Sequence, residues 1–441
     1  MAPSRVVPVH DLAGRRRIIE ESFRREAGST VPLPEDAVDL IETGALDSMG
    51  WVSFLRTVES ACGVSDLGAR LTQRPASMAR VLEALQEAHA EEAMPQSFPS
   101  FRSPSESRVH AFLSGSSSVV GSRLLPSEEV DRLFGMPIGK LRSRAGIESI
   151  AYAANGESEL TLGTAALREA LRSGSCGPQD LDWIIATSET HHDYPSLASQ
   201  LHSQLLVRET CGALDVGGAC LGLLNALAVA QALIASGQAR TVAVVTADVH
   251  SRTLTPGRVA GEFGGLFGDG ASAFLLRSGT NESLPGYRLG EFLFGCAGQY
   301  AAAIRVSDDK DGGLAVQFDG EALSRAAITR MEKVLAAVEL RSRIPRASVG
   351  GFATHQPNPR LVKLLAKQLG VSPAAFPAIA RTSGNLGSST CGAALHAAIR
   401  AAATLDAPEQ KPIFLASLGP GLLYGGGWLA AEPKHTVKDR S

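Results

Sequence analysis

The chain has 441 residues, 44% hydrophobic and 20% charged, with a formal net charge of −3. That composition is ordinary for a folded globular protein, and the length suggests about two to three domains. The near-neutral balance argues against a nucleic acid or an anionic membrane surface as partner.

The six cysteines, Cys62, Cys176, Cys211, Cys220, Cys296 and Cys391, form no C-x-x-C pair. Neither a zinc ribbon nor a disulfide framework is expected, and reduced thiols suit a cytoplasmic compartment. Arg15-Arg16-Arg17 is followed by no apolar core, so the N-terminus does not read as a signal peptide. The most apolar run, Leu221 to Ser236, is too short for a membrane span and carries Asn225 and Gln231. It reads as a core helix.

In chain order, residues 10–90 read as a small helical unit, with amphipathic pieces at 15–25 and 34–40. Val52, Leu55, Val58 and Glu59 have helical spacing, and Gly63 is placed to stop that helix. Ser48 stands at its start beside Asp47, where a serine is ordinarily an N-cap. The run Gly44-Ala45-Leu46-Asp47-Ser48-Met49 as a whole resembles an acyl carrier protein. The resemblance implies a small all-α carrier bundle with 4′-phosphopantetheine on Ser48 and a phosphopantetheinyl transferase as a partner. One departure is visible: carrier recognition helices are acidic, whereas Gly50–Cys62 holds only Glu59, with Arg56 opposing it.

Residues 91–107 form a Pro/Ser-rich linker. At ~3.1 Å per residue such a segment spans on the order of 50 Å, and tethering on that scale gives local concentrations of about the millimolar range.

From residue 108 strands and helices alternate. Strands are predicted at 110–114, 183–187, 241–246 and 273–276, with helices at 159–173, 196–206, 221–236 and 324–337. A second set has strands at 288–294, 348–354, 412–417 and 428–432 and helices at 360–369 and 391–404. The alternation predicts buried, mostly parallel α/β sheets in two similar halves, about 108–285 and 286–441. Asp308–Gly312 lacks the later Glu of a calcium loop and reads as a solvated turn. His191-His192-Asp193 lacks a third ligand at usable spacing, so no metal is expected.

The stretch Ala213–Leu224 carries the chemistry. It reads as a buried strand, a turn of small residues and an apolar helix, with Cys220 at the turn. A buried cysteine is ordinarily structural. At a helix N-terminus, however, backbone N–H groups favour the thiolate, and this predicts a lowered thiol pKa. Two further segments supply partners. Gly350–Asn358 delivers His355 at the end of a buried strand, and Arg381–Ser389 is a polar glycine loop carrying Asn385. Alone, these are a core histidine and a turn asparagine.

Together, Ala-Cys-x-Gly, His-Gln-x-Asn, Gly-Asn-x-x-Ser, Phe-Gly-Asp-Gly at 267–270 and Gly-Pro-Gly at 419–421 resemble β-ketoacyl-acyl carrier protein synthase III of the thiolase superfamily. The match covers about 108–441. It implies a thiolase-like fold of two similar βαβ halves, five-layered αβαβα. It also implies a decarboxylative Claisen condensation of a Cys220-bound acyl group with a malonyl-type thioester, with His355 and Asn385 as hydrogen-bond donors, in polyketide or fatty-acid-like starter biosynthesis. The oxyanion would meet the N–H of Cys220 and one from Gly419 or Gly421, because Pro420 has none. Lys140 stands where the family stacks a tryptophan on coenzyme A, implying that at least one thioester arrives on Ser48. Tyr194 matches an aromatic that lines the partner subunit's acyl pocket, implying a homodimer. The alternatives from the same residues are an acyltransferase acting on an alcohol or amine, and a non-catalytic carrier scaffold.

Overall fold

The computed structural model describes residues 12–64, 67–71, 75–90, 109–280, 286–308, 314–318, 320–403 and 411–432. The linker expected at 91–107 lies outside the described residues, as does most of the Asp308–Gly312 run. The chain divides into two units, Met1–Ser97 with Phe318–Arg330, and Phe98–Gln317 with Met331–Ser441.

The first unit contains helices α1 (Leu12–Ala27), α2 (Ser48–Cys62) and α3 (Met78–Ala90), with a single turn at Leu67–Arg70. Trp51, Phe54, Leu55, Val58 and Cys62 recur at helical spacing on α2 and are buried with Phe23, Leu40 and Leu85. Asp47, not Ser48, caps α2: its Oδ1 accepts from Gly50 N at 2.7 Å. Ser48 is thereby the first helical residue, and it is exposed. Gly63 ends the helix in the left-handed conformation at φ 68°.

The amphipathic piece expected at 34–40 is a set of turns rather than a helix. Asp39 explains this, because its carboxylate accepts from Ile41 N and Glu42 N, both at 3.0 Å, and from Ala76 N at 3.1 Å. A side chain that satisfies nearby N–H groups competes with the helical ladder. The one carboxylate of α2 is turned inward. Glu59 pairs with buried Arg56 at 2.6 Å and accepts from Leu67 N at 2.7 Å.

In the second unit ten strands form one sheet: β1 (His110–Val120), β2 (Trp183–Thr187), β3 (Gly212–Asp215), β4 (Thr241–Val249), β5 (Asp269–Gly279), β6 (Gly286–Leu289), β7 (Leu293–Cys296), β8 (Gly351–Thr354), β9 (Ile413–Gly419) and β10 (Leu423–Glu432). Their order is β8-β9-β10-β6-β1-β5-β4-β2-β3, with β7 paired to β10. The expected mostly parallel sheet is in fact mixed. Among the described residues only β2–β3, β2–β4 and β8–β9 run parallel. β5 and β10 lie directly beside the strands that precede them, β4 and β9, and pair antiparallel. A strand that returns to its neighbour without a crossover helix must run the opposite way.

Helices α4 (Glu159–Ser173) and α5 (Leu197–Gln204) cover one face of the sheet, and α6 (Gly222–Ala235) and α8 (Ser388–Ala403) cover the other; α7 (Pro359–Leu369) lies between the last two in sequence. Along β4 the alternation is direct. Val242 and Val244 pack with α6 and α8, whereas Ala243, Val245 and Ala247 pack with α4 and α5.

Replacing Asp47 by Ala removes the α2 cap and is expected to cost about 1 kcal/mol locally. Amide hydrogen exchange over residues 48–62 is expected to quicken about fivefold with no change across the second unit.

Candidate active site

The strand ends carry the site. β2, β3 and β4 run parallel, and so do β8 and β9. Just past the C-terminal ends of β2, β3, β4 and β8 stand Glu189, Cys220, His250 and His355, and β9 ends at Gly419. Active groups in α/β sheets collect at this edge.

Cys220 sits on a sharp turn between β3 and α6. Gly218 has φ 136° and Ala219, although not glycine, has φ 48°. A side chain on Gly218 would strike Asn225, whose Nδ2 donates to Gly217 O at 2.9 Å. Ser417 Oγ donates to Cys220 O at 2.6 Å and fixes the turn from β9. A methyl group on Gly419 would lie 2.6 Å from Gly218 O and 3.7 Å from Cys220 N, so the β9 end packs on the nucleophile turn. Gly421 shows no such approach, and a methyl group there would meet only Leu423. Of the two glycines left open by the sequence, Gly419 is the one brought to Cys220.

Asn385 is oriented from both sides. Its backbone is held by Leu266 O, at 2.9 Å from Asn385 N, and by Gly268 N, at 2.9 Å from Asn385 O. Its Oδ1 accepts from Gly387 N and Thr390 Oγ1, both at 3.0 Å. With the oxygen end occupied by two donors, the amide flip is fixed and Nδ2 is the end left to donate. His355 follows β8, and its N–H donates to Ala416 O at 3.0 Å. Its Nδ1 is buried without a partner.

Glu189 links these residues. Its carboxylate acts by charge on both Cys220 and His355. A methyl group on Gly387, the residue that donates to Asn385, would lie 3.0 Å from Glu189 Oε1, 3.0 Å from Asp248 Oδ2 and 2.5 Å from His250 Cε1. Cys220, His355 and the Asn385–Gly387 turn therefore all border the Glu189 carboxylate. What sequence reasoning missed is the acidic and basic cluster behind them: Glu189, Asp248 and His250. The signal was present, since Asp248 and His250 end an otherwise apolar strand, where a buried charge needs a reason.

The electrostatics overturn one expectation. Burial first, and then the charge of Glu189, push the Cys220 thiol well above 9. The thiol's own backbone N–H acts in the predicted direction and is outweighed. Cys220 is thus a neutral thiol at rest, with 8% of its surface still accessible. Burial, reinforced by neighbouring His250, lowers His355 to about 4, so its ring is neutral at ordinary pH. His250 is pushed up to about 9: burial opposes its charge, but Glu189 and Asp248 outweigh that. Asp248 is raised to about 7 by burial and by Glu189.

Tyr194 is 96% exposed. Lys140 pairs with Glu262 on the surface. Ser48 is in the first unit. Among the described residues no helix is long and apolar enough to cross a membrane.

Comparison with known proteins adds a family. Residues 214–298 match the family model for 3-oxoacyl-[acyl-carrier-protein (ACP)] synthase III, and residues 341–430 match the model for its C-terminal part. Cys220 and His250 fall in the first stretch, and His355, Asn385 and Gly419 in the second. The β-ketoacyl-[acyl-carrier-protein] synthase III of Roseobacter denitrificans is 32% identical over 275 residues, 60% of this chain and 82% of that one. That of Haemophilus ducreyi is 29% identical over 294 residues, 65% of this chain and 88% of that one. The solved priming β-ketosynthase of the R1128 polyketide pathway is similar at a TM-score of 0.64 and 26% identity, covering 76% of this chain and 100% of that one.

The raised thiol has a direct readout. The ultraviolet thiolate absorbance of the wild type minus Cys220→Ala is expected to show no ionisation step below pH 9. A step near neutrality would restore the helix-terminus reading.

Proposed function

This chain belongs to the β-ketoacyl-[acyl-carrier-protein] synthase III family, a family of acyl-transferring condensing enzymes, and on that premise we propose that Cys220, His355 and Asn385 carry out a decarboxylative Claisen condensation. In the first half-reaction Cys220 attacks an acyl thioester and keeps the acyl group while the donor thiol leaves. In the second, a malonyl-type thioester enters with its thioester oxygen facing a ring N–H of His355 and the Nδ2 of Asn385. Carbon dioxide leaves, the enolate carbon attacks the Cys220-bound carbonyl, and a β-ketoacyl thioester departs as the Cys220 sulfur is released.

What supports this reading is that two neutral donors border the same carboxylate, Glu189. Asn385 has its oxygen end tied down by Gly387 and Thr390, and His355 stays uncharged above a pH of about 4. Neutral donors fixed in a buried pocket stabilise a developing enolate oxygen without reorganisation. The Cys220 N–H would serve the tetrahedral oxyanion, and the Gly419 backbone packed against that turn supports the role.

The first unit, on this proposal, is a carrier bearing 4′-phosphopantetheine on Ser48, and it brings one of the two thioesters. Support comes from the exposed position of Ser48 at the first turn of α2 and from capping by Asp47, which spares the serine hydroxyl that role. Two copies would pair through the synthase unit, where exposed Tyr194 would reach the partner's acyl pocket. Likeness to a priming β-ketosynthase supports a starter unit as the product.

Asn385→Ala and His355→Ala are each expected to slow carbon dioxide release from a malonyl thioester by roughly 10²–10³-fold, with acyl loading of Cys220 changed far less. Intact-protein mass spectrometry after pantetheinylation is expected to show the arm on Ser48 and the acyl group on Cys220. Acyl transfer from Cys220 to an alcohol or amine with no carbon dioxide released would overturn the condensation.

A further inference from the structure

Glu189 is a buried carboxylate that the condensation just described does not use. Its Oε2 lies 3.5 Å from His250 Nε2. Its Oε1 is buried with no hydrogen-bond partner of ordinary geometry. The same carboxylate is close enough to Cys220 for charge and hydrogen bonding both to act on the thiol.

The proton inventory follows from the contacts. His250 Nδ1 stands 3.2 Å from Gly268 O, a carbonyl, so it must be a donor. Its Nε2 faces the Glu189 carboxylate at 3.5 Å, a contact that is attractive only with a proton between them, and the raised His250 beside the lowered Glu189 puts that proton on the ring. Two donors make His250 an imidazolium. The titratable groups facing Glu189 are Cys220 on the β3 turn, Asp248 and His250 at the end of β4, and His355 at the end of β8. The loop that completes the wall, Asn385 to Ser389, is uncharged. Asp248 is already engaged by four donors: Glu189 N at 2.6 Å, Ser188 Oγ at 3.4 Å, Ser388 Oγ at 2.6 Å and Ser389 N at 3.3 Å. The acceptor left open in the pocket is Glu189 Oε1.

We propose that Glu189 is a further catalytic residue, which takes the thiol proton of Cys220 as the acyl donor is attacked and passes it to the departing thiol, while His250 is the cationic positioning residue that holds Glu189 ionised beforehand. The Cys220 S–H bond breaks and an O–H bond forms on Glu189. The Sγ–acyl bond forms, the donor's acyl–sulfur bond breaks, and the leaving thiolate takes the proton from Glu189. Beside His250, which Asp248 and Asp269 also help to hold charged, one further negative charge moves between Glu189 and Cys220. It rests on Glu189 in the free enzyme, is carried by the sulfur during attack, and returns to Glu189 once Cys220 is acylated.

This inference rests on Cys220 being the acylated residue, and the test separates the two. Full-length protein is mixed with acetyl-, butyryl- and hexanoyl-pantetheine thioesters, quenched at intervals, and the load on Cys220 is read by mass spectrometry across pH. No load on wild-type Cys220 by any of the three overturns the nucleophile assignment and this inference with it. Where the wild type loads, Glu189→Gln is expected to load about 10²-fold more slowly at neutral pH, gaining roughly tenfold per pH unit as it comes to depend on free thiolate. Loading by Glu189→Gln at the wild-type rate or faster overturns the inference alone. That is the sign expected if Glu189 were only an adverse charge, since removing it favours the thiolate. His250→Gln keeps the test open should Glu189→Gln not fold. Without its cation the carboxylate is protonated more readily, so the low-pH limb of loading is expected to move toward neutrality. An unmoved limb overturns the role of His250 and of the pair.

Discussion

A sheet buried on both faces allows polar chemistry only at the ends of its strands. Along β4 every side chain from Val242 to Val249 is fully buried, facing one helix layer or the other. A charged group in mid-strand would have neither water nor a partner. The titratable groups therefore appear where the strands stop, at Glu189, Asp248, His250 and His355, together with the nucleophile at Cys220. The strand ladder that aligns these ends pairs Ala186 with Asp215 and Thr187 with Thr246. The site inherits its precision from the core.

Within that pocket the decisive comparison is between a helix terminus and a loss of solvent. A helix N-terminus offers an anion roughly 0.3–1 kcal/mol, up to about 2 in partly buried geometries. Burying an anion costs several kcal/mol after relaxation. Cys220 meets both, with a carboxylate added on the unfavourable side, and desolvation decides the outcome. The same accounting explains why His250 is charged and His355 is not. Burial lowers both, but His250 lies 3.5 Å from Glu189, whereas His355 feels that carboxylate against the opposing charge of His250. Two histidines in one pocket are thereby set to different protonation states.

This division marks what the sequence could show. Cys220, His355 and Asn385 were legible because each sits in a local run whose small residues make sense only around a sharp turn or a close approach. Glu189, Asp248 and His250 have no such run. Glu189 and Asp248 are 59 residues apart, and they meet only because β2 pairs with β4. The lowered thiol was a sound local inference defeated by burial, with the carboxylate of Glu189 adding to it. The mixed sheet was missed for a similar reason: periodicity reports that a strand is buried, not which way its neighbour runs. At α2 the difficulty was finer. Asp47 and Ser48 are both good caps, and only the geometry of Gly50 N decides that the carboxylate takes the role and the serine is left exposed.

The inward turn of Glu59 bears on how a carrier of this kind could be recognised. Its carboxylate is spent on Arg56 and on Leu67 N, so no acidic side chain of α2 faces outward. Charge steering of the sort that speeds association between separate proteins has little to act on at this helix. On the proposed reading the covalent connection supplies what charge does not. A tether that holds its partner at about millimolar concentration makes a weak docking surface sufficient. The loss of an acidic recognition helix and the presence of both units on one chain are then a single adaptation: once encounter is guaranteed by connectivity, the surface of α2 is released from the need to be negative, and its carboxylate is free to serve the fold.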